Sequence, residues 1–315
     1  HHSLRGFDYA SCVPVSRSDR KPITSEVAVT QLRCALFSIA IAITALLPSL
    51  PNAQNQCDID QSIAGAVDQI QESHKNFSYS GTFLKESSGS RNFIAKSHVA
   101  GEKLGQLDYL NAPATEEKQS VWAPRGPAVT ACELSAVYSL HLEPGPKVAG
   151  RPTSALHLRP RDGLRLGYRL ALDDVSGLIL KSESFSEDGK LLERHEYASI
   201  SVTPQEDART EESATALMQH LDIVGLPFGY KATLARGFEE KALFVSDGIA
   251  AATVVFEPLP DDLSPGEGAV RHGATLTYSR GSVVSGTRIL VTVIGEVPLA
   301  AARLIAEAVR VAPSR

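Results

Sequence analysis

The sequence predicts a mainly β protein of the α+β class, in which a large antiparallel sheet is followed by a smaller unit of strands and one helix. From residue 77 onward, apolar and polar residues alternate as they do along half-buried strands. Turn pairs such as Ser88-Gly89, Ser176-Gly177 and Asp188-Gly189 separate these stretches. Apolar stripes at helical spacing occur near residue 63 and again after Pro298.

The composition is that of a globular protein with a sizeable core. The chain has 315 residues, 43% of them hydrophobic, which predicts about two domains. Its 31 Lys and Arg residues stand against 36 Asp and Glu residues, and the formal net charge is −5. These values argue against wholesale disorder and against a dedicated nucleic-acid-binding protein.

A short apolar run, CALFSIAIAITALL, occupies residues 34–47, follows Arg33 and ends at Pro48. As a helix it rises about 21 Å, less than the ~30 Å hydrocarbon core of a bilayer. The order of basic residue, apolar core and helix breaker predicts a secretory signal peptide that is cleaved after Ala53. A short membrane anchor is the alternative interpretation.

Cleavage after Ala53 leaves Cys57 and Cys132 as the cysteines of the mature chain. In an oxidising compartment this pair either closes a disulfide or remains as two free thiols, and the spacing leaves both open. Because Met218 is the only methionine, we expect residues 1–26 to lie upstream of a non-AUG start at Val27 or Val29.

The mature chain is predicted to begin with one helix and to continue as strands. Asp60 is a candidate N-cap for a helix that carries Ile63, Val67, Ile70 and His74 on one face. Residues 77–83 then switch to strand alternation, and strands and turns continue to about residue 203. The helix is expected to cover one face of this sheet.

The C-terminal part is predicted to be a second, smaller domain. Residues 206–224 are acidic and then weakly helical, and are interpreted as a linker. A hairpin around Asp247-Gly248, strands at 275–280 and 288–295, and a helix that begins near Pro298 follow. The predicted boundaries are 1–53 for upstream sequence and signal peptide, 54–205 for the large domain, 206–224 for the linker and 225–315 for the small domain.

The sequence contains no recognisable catalytic motif. A G-x-S-x-G elbow, an H-E-x-x-H pair, a P-loop and a G-x-G-x-x-G turn after a strand are all absent. The histidines of the mature chain lack the spacing of metal ligands. We therefore predict a protein that is not an enzyme and has no cofactor or metal.

One basic strip could meet an anionic ligand. Arg159, Arg161, Arg165 and Arg169 are evenly spaced, so on a strand they would share one face, where they could meet lipid phosphates or carboxylates. The alternative is a solvated face whose arginines pair with neighbouring acidic residues.

Aromatic residues suggest a second binding feature. A curved sheet with a helix over its mouth can hold an apolar ligand, and an ordinary core is the alternative. The candidate lining residues are Phe77, Tyr79, Phe83, Phe93, Trp122, Tyr138 and Tyr168.

Several motifs occur in the order of a known family. FVSDGIAAATVVFEPL (244–259), GATLTYSR (273–280) and VTVIGEVPLAAARLIAEAV (291–309) are C-terminal. NFSYSGTF (76–83), the stretch at 149–183 and GKLLERHEY (189–197) lie in the large domain, and LPFGY (226–230) opens the small one. With these motifs the chain resembles the MucB/RseB family of periplasmic sigma-E regulators over nearly all of residues 59–311.

The resemblance implies a fold and a role. The large domain is expected to be a curved antiparallel half-barrel covered by helices, as in lipoprotein carriers. The small domain is expected to bind the periplasmic segment of a single-pass anti-sigma factor, to protect it from proteolysis and so to keep an envelope-stress sigma factor inactive. Lipopolysaccharide or a related lipid is the expected releasing signal. The expected location is the periplasm, and self-association is left open.

Within this role we predict particular contact residues. Asp247, Gly248, Arg271, Arg280 and Arg288 are the candidates for contact with the anti-sigma segment. For each arginine the alternative is a role in surface solubility. The lipid or anion candidates are Arg159, Arg161, Arg165, Arg169 and Trp122. A periplasmic lipid or lipoprotein carrier is the alternative function.

Overall fold

The computed structural model describes residues 57–102, 105–111, 119–122, 129–205, 218–221, 223–235, 242–284 and 286–310. Residues 55–315 form one compact unit. The predicted signal peptide and most of the predicted linker lie outside the described residues. Among the helices that are described, none has the length and apolar character needed to span a bilayer.

The first sheet has nine antiparallel strands in the order β4-β3-β2-β1-β9-β8-β7-β6-β5. The central pair, β1 and β9, joins the first strand of the chain to the last strand of the sheet. The Asp188-Gly189 turn joins β8 to β9, as the sequence predicts. The strands are β1 Phe77–Ser87, β2 Ser90–His98, β3 Gly105–Tyr109, β4 Gln119–Trp122, β5 Tyr138–Pro144, β6 Thr153–Pro160, β7 Gly167–Asp173, β8 Ile179–Phe185 and β9 Leu191–Pro204.

Two helices accompany this sheet. Helix α1 spans Gln61–Asn76, and its predicted N-cap is confirmed because the Asp60 carboxylate accepts the Ser62 amide. Helix α2 spans Ala131–Val137 and begins with a capping box between Thr130 and Glu133. Val67 of α1 is buried against strand residues such as Leu156 and Leu170, as the helical spacing predicts.

The second sheet has seven antiparallel strands in the order β10-β11-β12-β13-β16-β15-β14. One of its faces is covered by the helix α3, Leu299–Arg310, whose Ala302 and Ile305 are fully buried. The strands are β10 Met218–Leu221, β11 Lys231–Ala235, β12 Ala242–Ser246, β13 Ala251–Pro258, β14 Glu267–His272, β15 Thr275–Val284 and β16 Thr287–Gly295.

The second sheet contains three strands that the sequence analysis does not predict, β10, β11 and β14. Met218–Leu221 forms strand β10, although the sequence assigns these residues to the linker. Strand β10 has only four residues, too few for strand alternation to be recognised in the sequence, and it is defined by its pairing with the next strand, β11. Glu267–His272 forms strand β14, in a segment where the sequence analysis predicts no strand.

The two sheets share one apolar core. Ile249 and Ala250, from the turn between β12 and β13, and Ala274, from the turn between β14 and β15, belong to the core that contains Leu156, Leu158 and Tyr168 of the first sheet. The second sheet therefore contacts the first through its turns and leaves α3 on its own face.

A disulfide joins Cys57 to Cys132, with their Cα atoms 5.7 Å apart. It ties the residues before α1 to the helix α2 across a sequence separation of 75 residues.

We predict that this disulfide stabilises the folded state. Closing a loop of this length limits the unfolded chain and contributes up to about 4 kcal/mol in the chain-entropy model. Replacing both cysteines by Ala should lower the free energy of unfolding in urea by about 2–4 kcal/mol. A reductant should destabilise the native protein by a similar amount and leave the double variant unchanged. Equal stability of the native protein with and without the reductant would contradict the prediction.

A buried histidine gives a second prediction. The Tyr79 hydroxyl lies 3.1 Å from His74 Nδ1, and the His98 ring centroid lies 5.4 Å from that of His74. Burial is the main cause that lowers the pKa of His74 from 6.5 to about 3, and the nearby charges of Lys96 and His98 add to it. The unfolded chain therefore binds a proton below about pH 6.5 that the folded chain does not bind until near pH 3, so stability falls as the pH falls through this window.

The expected slope for His74 is a loss of about 1.4 kcal/mol of unfolding free energy per pH unit. Urea unfolding between pH 6.5 and pH 5, where Glu and Asp contribute little, measures it. His74→Gln should reduce the slope, because glutamine does not titrate. The part that remains belongs to His98, whose pKa is also lowered by burial. An unchanged slope in the variant would show that another group is responsible.

Candidate functional site

The principal charged contact between the two sheets is an ion pair without solvent access. Arg165 Nε lies 2.9 Å from Asp247 Oδ2, and both side chains are 0% exposed. Arg165 lies in the connection between β6 and β7, and Asp247 lies in the turn between β12 and β13. We call this contact the inter-sheet ion pair.

The Arg165 guanidinium is enclosed by further groups. Its Nη1 lies 2.5 Å from Asp162 Oδ2, and its Nη2 donates to the carbonyl of Phe228. The ring centroid of Tyr230 lies 4.7 Å from the guanidinium carbon, and the Tyr230 hydroxyl donates to the Leu164 carbonyl at 2.9 Å. A buried cation requires such a complete set of partners.

The Asp247 carboxylate is enclosed in the same way. Its Oδ2 also accepts the Tyr138 hydroxyl at 2.9 Å, and its Oδ1 accepts the amides of Ile249 at 3.0 Å and Ala250 at 2.8 Å. Burial, together with the adjacent Asp247 charge, raises the pKa of Tyr138 well above its usual value, so this phenol stays a donor.

Close backbone packing surrounds the inter-sheet ion pair. Gly248 has φ of 100° and approaches Val129 so closely that a Cβ there would lie 2.2 Å from a valine methyl group. Beside it, Lys231 Nζ lies 2.6 Å from Glu133 Oε1, and this hydrogen bond lowers the pKa of Glu133. Glycine is therefore required at position 248 by both backbone conformation and space.

These contacts alter the interpretation of Asp247 and Gly248. The sequence assigns both to contact with an external partner, but Asp247 is 3% exposed and its carboxylate is occupied by Arg165, Tyr138 and two amides. In this arrangement both residues join the two sheets. The hairpin itself is where the sequence predicts it.

The other candidate partner residues lie on the second sheet and make internal contacts. Arg271 donates to the carbonyls of Ala274 and Val297 at 2.8 and 2.7 Å. Arg280 lies 2.9 Å from Glu307 of α3, and its side chain is 36% exposed. Arg288 donates to the carbonyls that precede β14, at Pro260 and Leu263. Arg280 and Arg288 keep part of their surface open to solvent.

The arginine strip does not form one face. Arg165 is buried, and Arg161 turns back to donate to the carbonyls of Ser135 and Tyr138. The expectation of four aligned arginines is wrong because the chain leaves β6 at Pro160, so strand alternation ends before Arg161.

Arg159 and Arg169 remain on the outer face of the first sheet. Both are exposed, and Arg169 lies 3.4 Å from Glu183 with its guanidinium 5.8 Å from the Phe185 ring centroid. They line a groove of about 640 Å³ that also contains Arg165, Asp162 and the turn that follows β8. Arg159 and Arg169 are therefore the members of the predicted anion site that lie together on an exposed face.

The predicted aromatic residues divide between two clusters. Tyr138 and Tyr168 belong to the core shared by the sheets, whereas Tyr79 and Phe83 pack with Tyr197 in another cluster. Phe93 is 45% exposed, and Phe77 is partly buried against the Tyr79 cluster. They do not form one common wall, and the Trp122 side chain lies outside the described residues.

Sequence reasoning singled out Arg165 and Asp247 for other roles and missed that they bind each other. Arg165 and Asp247 are 82 residues apart, and neither Asp162 nor Tyr230 stands out by spacing. The Asp-Gly turn was a visible signal, but it indicates a hairpin and not what the aspartate binds. Within the described ranges no three His, Cys, Asp or Glu residues are placed to hold a metal ion.

Comparisons place this architecture in a class of two-part regulatory proteins. The model of the MucB/RseB N-terminal domain matches residues 120–217, and that of the MucB/RseB C-terminal domain matches residues 230–310. The chain belongs to the MucB/RseB family.

Individual relatives agree with this assignment. The chain is 27% identical over 287 residues to the sigma factor AlgU regulatory protein MucB of Pseudomonas aeruginosa, covering 78% of this chain and 89% of that protein. It is 24% identical over 192 residues to the sigma-E factor regulatory protein RseB of Haemophilus influenzae, covering 52% and 56%. A solved Pseudomonas aeruginosa MucA/MucB complex matches with a TM-score of 0.58 and 26% identity, covering 78% of this chain and 97% of the matched one.

We predict that breaking the inter-sheet ion pair is strongly destabilising. Arg165→Met leaves the Asp247 carboxylate buried without its cation and should lower the free energy of unfolding by about 3–5 kcal/mol. Combining it with Asp247→Asn should cost less than the sum of the single changes, because neither charge is then left alone. Urea unfolding of the four proteins of this cycle measures the coupling.

The matched control is Arg159→Met on the exposed outer face, which should change stability by less than about 0.5 kcal/mol. Strictly additive effects of the two buried changes would contradict the prediction.

Proposed function

We propose that this chain binds the periplasmic segment of a single-pass membrane anti-sigma factor and thereby keeps an envelope-stress sigma factor inactive. The observation that carries the proposal is the match to MucB, which was solved together with MucA, over 97% of the matched chain. The match spans both sheets, so the proposal concerns the whole described unit.

Export to the periplasm is part of the proposal. The apolar run at 34–47 has the length of a signal peptide core, and the Cys57–Cys132 disulfide fits an oxidising compartment. In the periplasm the chain can meet the anti-sigma segment that emerges from the membrane.

Masking a cleavage site by contact explains how such a protein would act without catalysis. Occupancy near 99% needs free regulator at about 100 times Kd, which corresponds to ~2.7 kcal/mol. A protease then sees only the small unbound fraction. The open surface for this contact is the second sheet, where Arg280 and Arg288 remain partly exposed.

The groove beside Arg159 and Arg169 is the proposed site for a releasing signal. A lipid with an anionic head group, such as lipopolysaccharide, would meet two exposed guanidiniums there. The same groove contains Arg165 and Asp162, so such a ligand would lie directly beside the inter-sheet ion pair. Binding at one sheet would then change the contact to the other.

Binding to the isolated anti-sigma segment tests the proposal. Residues 54–315 should bind the purified periplasmic segment of the source organism's MucA-like anti-sigma factor in calorimetry and slow its cleavage by the site-1 protease. Arg280→Glu should weaken binding about five- to tenfold, since it reverses one exposed charge.

The matched control is Lys147→Glu, an equal charge reversal on an exposed loop of the first sheet. Loss of affinity in both variants alike would place the contact elsewhere. Absence of binding by the native protein, with bound acyl lipid detected in it by mass analysis, would favour the carrier function.

A further inference from the structure

The Cys57–Cys132 disulfide lies at the surface of the protein. Cys132 is exposed and Cys57 is partly exposed, so the bond can be approached from solvent. Exposed disulfides are typically the labile or regulatory ones, because another thiol can reach them without unfolding the protein. Its position therefore makes this bond a candidate for thiol–disulfide exchange, in addition to its effect on stability.

Cys132 belongs to a short segment that contacts both sheets, residues 129–138, which we call the bridge segment. Toward the first sheet, Gln71 of α1 donates to the Val129 carbonyl, and the segment ends at the first residue of β5. Its Leu134 is buried in the core that the two sheets share. The disulfide adds a covalent link from this segment to Cys57, directly before α1.

The N-terminal half of the bridge segment also contacts the second sheet. Glu133, the residue that follows Cys132, binds Lys231 of β11, with its Oε1 2.6 Å from the lysine Nζ. Val129 packs so closely against Gly248 that a Cβ on the glycine would lie 2.2 Å from a valine methyl group. The cysteine therefore lies between two contacts to the second sheet.

The C-terminal half of the segment makes two more contacts of this kind. A Cβ on Gly229 would lie 2.7 Å from a methyl group of Val137. The Tyr138 hydroxyl donates to the Asp247 carboxylate of the inter-sheet ion pair at 2.9 Å. The disulfide is thus attached to the segment through which the first sheet holds the second.

This placement couples the disulfide to the contact between the sheets. Closing the bond requires Cys132 to lie beside Cys57, where their Cα atoms are 5.7 Å apart, and the second sheet helps to hold the bridge segment in that position. Coupling between two such events is reciprocal. Weaker contacts to the second sheet make the bond easier to reduce, and reduction weakens those contacts by the same free energy.

We propose that Cys57–Cys132 is a redox-controlled site that exchanges with a protein dithiol of the thioredoxin type, and that its reduction loosens the contact between the two sheets. A thiolate of the dithiol attacks the sulfur of the exposed Cys132 and forms a mixed disulfide, while the Cys57 thiolate leaves and takes up a proton. The second thiolate of the dithiol then closes its own disulfide and releases Cys132, which is protonated in turn. The chain gains two electrons and two protons, and the dithiol loses them.

One part of this proposal rests on the proposed function. A periplasmic location of the dithiol protein follows from the proposed export of the chain. The exchange itself and its coupling to the sheets do not depend on export or on an anti-sigma factor.

Reduction kinetics of the folded mature chain, residues 54–315, test the exchange. With purified reduced thioredoxin as the probe, the rate is followed by alkylation of the freed thiols and mass analysis. It should rise in proportion to the thioredoxin concentration, because the bond is attacked in the folded state. A rate that levels off at the rate of global unfolding would overturn the proposal, since the bond would then be reached only in the unfolded chain.

The coupling is tested by the equilibrium between disulfide and dithiol in glutathione buffers. Lys231→Glu places a like charge against Glu133 and should shift this equilibrium about fivefold toward the dithiol. Gly248→Ala adds a methyl group against Val129 without a change of charge and should shift it in the same direction. Circular dichroism checks that each variant is folded.

The matched control is Lys147→Glu, the same charge reversal on an exposed loop of the first sheet, which should leave the equilibrium unchanged. An unchanged equilibrium in Lys231→Glu, or an equal shift in the control, would overturn the coupling of the disulfide to the sheets. Neither experiment uses the anti-sigma segment, so this proposal and the proposed function can fail separately.

Discussion

The structure depends on a cation and an anion that have been removed from water together. Arg165 and Asp247 are both fully buried, and neither would be tolerated there without the other. Each buried group needs further hydrogen-bond partners, and this need explains the surrounding arrangement. Asp162 and the Phe228 carbonyl accept hydrogen bonds from the guanidinium. Tyr138 and two turn amides donate hydrogen bonds to the carboxylate. An ion pair of this kind contributes modest net stability but restricts the sheets to one relative position, because any shift would leave a charge unpaired.

This restriction is relevant to a protein of the MucB/RseB family. The shared core and the buried ion pair couple the position of one sheet to that of the other. The groove with Arg159 and Arg169 on its wall also borders the buried Arg165, so the groove lies next to the inter-sheet ion pair. A ligand can shift the two sheets from the joined to a separated arrangement only if its affinity for the two arrangements differs.

The sequence was most informative where structure is local. The helix after Asp60 and the hairpins at Asp188-Gly189 and Asp247-Gly248 follow from capping, periodicity and turn chemistry within a few residues. It was least informative where two distant residues decide the outcome. Arg165 resembled a member of an exposed strip, since nothing nearby in the sequence reveals that its partner is 82 residues away. Strand β10 was missed for a different reason: its four residues are too few to show strand alternation, and only the pairing with the next strand defines it.

The pairing of β1 with β9 sets an order of events for a chain that emerges N-terminus first. Hairpin β1–β2 can close as soon as it appears, but the other side of β1 waits for β9; Glu86 and Arg194, which meet across that pairing, are 108 residues apart. Until β9 arrives, the centre of the future sheet is an exposed edge, so the sheet cannot be completed in sequence order as the chain emerges. Such nonlocal pairing favours slow assembly and leaves an unpaired strand edge open to aggregation until β9 has been delivered.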